Sequence, residues 1–104
     1  MKAFVDLPGA SGAQYRFRLW PEGAAHPPIA GNYACLQFDG EAYAVLAVGE
    51  TLDLSRLVSE LPKRLREAKP VIYTRLNVAR EVRQAEHHDI TAGVKGTKAR
   101  VRAA

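Results

Sequence analysis

Residues 32–49 read NYACLQFDGEAYAVLAVG, two apolar strand-like runs (Asn32 to Phe38, Ala42 to Val48) around Asp39-Gly40, with Gly49 ending the second. Asp-Gly between such runs predicts a tight hairpin, because both residues tolerate the positive φ that short turns require. Downstream, Asp53 is a predicted N-cap, since its carboxylate can accept from the free N–H groups of a helix start. Leu54, Leu57, Val58 and Leu61 follow at i, i+3, i+4 and i+7, one apolar stripe of a helix. Pro62 interrupts that helix and is suited to begin another, Lys63 to Ala68, which Lys69-Pro70 stops. Val71 to Leu76 reads as a third strand. Asn77 is placed to cap a second long helix, Val78 to about Asp89.

Upstream, the signals are weaker. Met1 to Leu7 reads as either an extended arm or a short strand, and Pro8, Gly9 and Gly12 break the chain. Tyr15, Phe17 and Leu19 alternate with Arg16, Arg18 and Trp20, a period of two that marks a candidate extra edge strand. Pro21 to Gly31, with Pro27-Pro28, reads as a loop. After Thr91 no buried-face pattern remains, so residues 93–104 are expected to form a basic, flexible tail behind a single domain of residues 1–92. The expected fold is α+β: a small domain with a central three-stranded antiparallel sheet flanked by helices.

Composition is that of one globular domain: 104 residues, 47% hydrophobic and 25% charged. The lone Cys35 excludes an intramolecular disulfide and a cysteine metal cluster. Without a leader-like start or a long apolar run, the expected location is cytoplasmic, with no membrane partner. The net charge of +4 favours polyanions, but Lys95, Lys98, Arg100 and Arg102 supply much of it from the last ten positions.

The order hairpin, helix, strand, helix over residues 31–90 resembles the GIY-YIG endonuclease domain, and particular residues carry the likeness. Gly31-Asn32-Tyr33 is similar to the first family element. Tyr43 to Thr51, ending Val48-Gly49-Glu50-Thr51, is similar to the second, and Asp53-Leu54-Ser55-Arg56 to the capped helix start that follows. Arg80 to Ile90, with Glu86, is similar to the late helix that carries the family's metal-binding glutamate.

The resemblance implies a metal-assisted phosphodiesterase. Tyr33 would act at the nucleophile, Arg56 at the phosphate, and Glu86 would hold one divalent cation, Mg²⁺ or Mn²⁺, whose hard oxygen chemistry leaves positions for water and phosphate. Gly49, Thr51 and Arg75 would line the substrate. The implied partner is nucleic acid, DNA more than RNA.

Two departures count against catalysis. Ala47 stands where the second tyrosine belongs. The helix arginine should fall at Leu57, and Arg56 comes one residue earlier, a rotation of about 100° on an α-helix. The first reading is therefore a nucleic-acid-binding domain with weak or lost nuclease activity. An active metal-dependent endonuclease, with Arg75 or Arg64 replacing the missing arginine, and a protein-interaction module on a decayed scaffold are the alternatives.

His26 in a Pro-rich loop reads as exposed. His87-His88, adjacent on a helix, lack the i, i+4 spacing of a zinc pair. Cys35 reads as a buried inert thiol. Trp20 and Tyr15 are more readily explained as core or edge packing than as base-stacking groups.

Overall fold

The computed structural model describes residues 1–21, 23–94 and the backbone of 100–101. Its strands are β1 (Phe4–Pro8), β2 (Gln14–Leu19), β3 (Gly31–Phe38), β4 (Tyr43–Thr51), β5 (Val71–Leu76) and the two-residue β6 (Arg100–Val101). After β4 come a 3₁₀ turn (Leu54–Arg56) and two short helices, α1 (Leu57–Glu60) and α2 (Lys63–Glu67); α3 (Arg80–Val94) follows β5. The class is α+β, as expected, and no helix among the described residues is long and apolar enough to cross a membrane.

The sheet is wider than the three strands expected. Among the described residues it runs β1-β2-β5-β3-β4-β6, antiparallel throughout. The expected trio β5-β3-β4 lies in the middle of it. Residues 14–19 are not an edge strand: β2 pairs with β1 on one side and β5 on the other, and β1 takes the edge. The reason is packing. Val5, Leu7 and Phe17 are fully buried with Ala34, Leu36, Tyr43, Tyr73 and Ile90, so the N-terminal hairpin completes the core under α3.

Strand alternation assigns the two faces. Asn32, Ala34 and Leu36 of β3 point toward α3, as do their partners Arg75, Tyr73 and Val71 on β5. On the opposite face Cys35 packs with Leu54, Leu57 and Leu61, and Tyr33, Ala47, Leu65 and Ile72 lean against them. A bulge between Cys35 and Leu36 leaves Leu46 without a partner on β3, so both ends of β4 keep their inward side chains toward α3.

The hairpin forms where expected, but its turn is centred one residue later, on Gly40-Glu41. Asp39 N–H donates to the Ala42 carbonyl at 3.1 Å, Gly40 takes φ 99°, and the Asp39 carboxylate accepts from the backbone N–H of Glu41 and Ala42 at 3.0 and 2.9 Å. Asp53 caps its turn, accepting from Ser55 N–H at 2.9 Å. The expected Leu stripe holds for Leu54, Leu57 and Leu61, whereas Val58 is exposed because the segment opens as a 3₁₀ turn and has only one α-helical turn.

Two helix boundaries are corrected. The last helix starts at Arg80, since Asn77 turns inward to hydrogen-bond side chains instead of capping it. It also runs through Val94, past the tail boundary expected at residue 93. Gly93 permits this extension: a Cβ there would lie 2.2 Å from the Pro8 carbonyl oxygen, so only glycine lets α3 cross the end of β1. Arg100–Val101 pair with β4 through Tyr43 and Ala44. The rest of the expected tail, 95–99 and 102–104, lies outside the described residues.

Candidate functional site

Tyr33 and Glu86, the two residues that match the nuclease pattern, lie on opposite faces of the sheet. Tyr33 shares its face with α1 and α2; Asn32, its neighbour, points to α3 and donates to the Arg83 carbonyl at 3.2 Å. The Tyr33 ring lies across Gly49, where a Cβ would fall 2.3 Å from ring atoms. Burial pushes its hydroxyl pKa up from the ordinary value, so it is held as a neutral phenol. Gly49 thus serves the packing of Tyr33.

Glu86 belongs to a polar network under α3. Its Oε1 accepts from Arg75 Nε at 2.8 Å and from Asn77 Nδ2 at 3.0 Å, and Asn77 Nδ2 also donates to Asn32 Oδ1 at 2.8 Å. The groups facing this oxygen are donors, not metal ligands. Among the described residues no three His, Cys, Asp or Glu side chains gather to hold a metal. Oε1 of Glu86 is thus taken up by two donors of the fold. Beside this network, buried Arg83 donates to Glu50 at 2.6 Å and to the carbonyls of Asn77 and Val78.

The remaining expected site residues have local roles. Arg56 is exposed and sits 3.7 Å from Asp53, an i, i+3 ion pair. Leu57, at the family's arginine position, is 2% exposed, and Ala47 packs beside it in the same cluster. The Thr51 hydroxyl donates to the Asp53 carbonyl and accepts the Asp53 N–H, bracing the turn after β4. Arg75 is spent on Glu86 and on the Arg16 carbonyl, to which it donates at 3.3 Å. That carbonyl lies just beyond the point where the β2–β5 ladder stops, at Arg18 and Thr74. Of the expected set, Glu86 and Arg75 are joined to each other on one face and Tyr33 packs on Gly49 on the other, so the set is not gathered into one site.

A groove lies elsewhere. The helices after β4 cover the middle of their face of the sheet but not β1 and β2. There Phe4, Arg16, Arg18, Trp20, Thr74 and Leu76 surround a groove of about 460 Å³, with Pro27 forming part of its wall. Phe4 pairs with Arg18, which pairs with Thr74, which pairs with Tyr33, so one row of side chains crosses the sheet from groove to helices. Arg16 lies over the Phe4 ring at 5.6 Å and is held by Asp6 at 3.1 Å. Arg18 is exposed and has no partner among the described residues.

Trp20 is fixed in place: its Nε1 donates to the Ala24 carbonyl at 2.9 Å, and the His26 ring stacks on it at 4.4 Å. Desolvation lowers the His26 pKa, keeping that ring neutral. His26 is therefore a packed residue of the loop, not the exposed one expected. The alternation of Arg16, Arg18 and Trp20 was visible in the sequence. What it could not show is that this face of the strand stays uncovered.

No family model matches this chain, and neither the curated proteins nor the solved structures compared with it include a match.

Proposed function

We propose that this protein is a nucleic-acid-binding domain on a GIY-YIG-like scaffold that does not cut its ligand. The element order from β3 to α3 supports the scaffold, as do the Gly31-Asn32-Tyr33 and Val48 to Thr51 segments. The observation that carries the binding reading is the open sheet face, where Arg16 and Arg18 stand beside Phe4 and Trp20. Arginines supply sequence-independent attraction to phosphate, and the protein's net charge of +4 adds to it.

The separation of Tyr33 and Glu86 supports the absence of cleavage. In-line hydrolysis needs the group at the nucleophile and the cation on one phosphate, held to within fractions of an ångström. Two side chains on opposite faces of a sheet do not meet that requirement, and Leu57, at the position of the expected arginine, is buried in the packing of the Tyr33 face. The active-endonuclease reading needs Arg75 or Arg64 as a substitute, and Arg75 is committed to Glu86.

The test is titration of labelled DNA and RNA with the protein at several salt concentrations, followed by gel analysis with Mg²⁺ and Mn²⁺. Binding that weakens steeply with salt, with the strands left intact, is the expected result. Cleavage abolished by Glu86→Ala would refute it.

The protein-interaction reading has one observation in its favour. Leu76, Val78 and Val82, at the junction of β5 and α3, are 58%, 71% and 49% exposed.

A further inference from the structure

We infer that the groove over β1, β2 and β5 is a single-strand site, in which bases stack on Phe4 and Trp20 while Arg16 and Arg18 hold the phosphates. This rests on the nucleic-acid-binding reading and names its site and ligand class. Its two rings and two arginines, Phe4, Arg16, Arg18 and Trp20, lie outside residues 31–90, the part of the chain that resembles the nuclease domain, while Thr74 and Leu76 of β5 complete the groove.

The first argument is chemical. A duplex hides its base faces, whereas a single strand exposes them, and stacking on aromatic side chains is tolerant of sequence because every base has a π-face. The groove offers two such rings on one surface, Phe4 (40% exposed) and Trp20. An apolar pocket for a small ligand would not need exposed arginines at its floor.

The second is geometric. Arg16 and Arg18 are two residues apart on one strand, hence on one face and about 7 Å apart along it. That step is comparable with the spacing of successive phosphates in an extended strand. Phe4 stands directly across from Arg18. A base on the Phe4 ring therefore brings its own phosphate within reach of Arg18, which has no partner among the described residues.

The third is preorganisation. The indole of Trp20 is held by its hydrogen bond to Ala24 and by the His26 ring, and Arg16 is oriented by Asp6. Groups already fixed in this way lose little freedom on binding. On the same face, α2 adds Arg64 and Arg66, both exposed, so the charge that attracts a strand extends beyond the groove.

Trp20 is the protein's single tryptophan, so its fluorescence reports on the groove alone. The experiment is titration of the full chain at low salt with a short oligothymidylate, the matching duplex and poly-glutamate, following Trp20 emission and ligand anisotropy together. Saturable quenching by the single strand is expected, with weaker binding of the duplex and of poly-glutamate. Arg18→Ala should weaken single-strand binding and reduce the salt slope by about 0.7. Phe4→Ala should weaken it roughly five-fold or more. Phe4→Leu, which keeps the apolar cover of the strand, should show the same loss if the ring matters.

Binding that leaves Trp20 emission and both Phe4 variants unchanged would overturn the groove assignment while leaving the domain a nucleic-acid binder. Poly-glutamate binding as well as the strand does would also overturn it, in favour of an acidic protein segment. No binding to either nucleic acid at low salt would sink both this inference and the function it rests on.

Discussion

The guanidinium of Arg83, 1% exposed, donates to Glu50 Oε2 at 2.6 Å and so ties the first turn of α3 to the end of β4. Glu50 is the residue that follows Gly49 in the nuclease-like segment, and here its carboxylate neutralises a buried cation. Removing it would leave that cation stranded, which is the costly way to break a buried pair. Glu50→Ala is expected to lower stability by about 3 kcal/mol, the low end of the buried-pair range, because Glu50 itself keeps some contact with water. Glu50→Gln, which retains an acceptor at the same place, should lose less than half as much. Urea melts of the three proteins check the order.

Glu86 is expected to behave as a structural residue. Its carboxylate holds Arg75 and Asn77, and the Arg75–Glu86 side chains are only 32% and 17% exposed. Glu86→Ala should therefore cost about 1–3 kcal/mol through unsatisfied donors. Its affinity for nucleic acid should match that of the wild type once folding is confirmed. A metal role would give the reverse pattern: little change in melting, and loss of any Mn²⁺-dependent effect.

Lys69 follows the last turn of α2 with φ 50°, in the left-handed region that a lysine occupies at a cost. Pro70 after it prevents the helix from continuing, so the chain reverses there into β5. Lys69→Gly removes the Cβ penalty and loses part of the gain to the greater freedom of the unfolded chain. A net stabilisation of about 0.5–1 kcal/mol is expected, read as a rise in melting temperature. Lys69→Val should lower it, since a branched side chain fits that conformation worst.

Cys35 lies at 0% exposure on β3, and burial pushes its thiol up to about 11 from an ordinary 9.0. A raised value means the folded state holds its proton more tightly than the unfolded chain. The stability tied to that proton is complete below pH 9 and drains away as pH rises toward 11. The native thiol should thus be inert to Ellman's reagent at pH 8 and react fully once the chain is unfolded in guanidinium. Cys35→Ala should remove part of the alkaline loss of stability. Rapid reaction of the folded protein would show that the face under α1 is open.

The parts of the fold that could be read from the sequence are those with local causes. The hairpin turn after Asp39 forms through that residue's own side chain and backbone, Asp53 caps its own helix start, and the β-branched and aromatic run of β5 is short and bounded by Pro70 and Asn77. The N-terminal hairpin was only half legible. The alternation in β2 is local, but its place between β1 and β5 depends on burying Val5, Leu7 and Phe17 beneath Ile90, more than seventy residues away. The extension of α3 to Val94 was hidden because Ala92 and Gly93 carry no stripe, and the need for glycine arises from Pro8.

The candidate site shows the same division. Alternation alone says that Asn32 and Tyr33 point to opposite sides. Which helix covers which side is a long-range fact, and it is this fact that parts Tyr33 from Glu86. The Asn32–Asn77–Glu86–Arg75 network likewise joins residues whose pairing no spacing announces.

The most direct test of binding without cleavage uses one sample. A fluorescent single strand is held with excess protein at low salt in the presence of Mn²⁺, its anisotropy is recorded, and the same strand is then run on a denaturing gel. Raised anisotropy that falls on addition of salt, with the strand recovered at full length, is the expected result. Shortened strands in the wild-type lane and intact strands in the Glu86→Ala lane would contradict it, as would anisotropy that never rises.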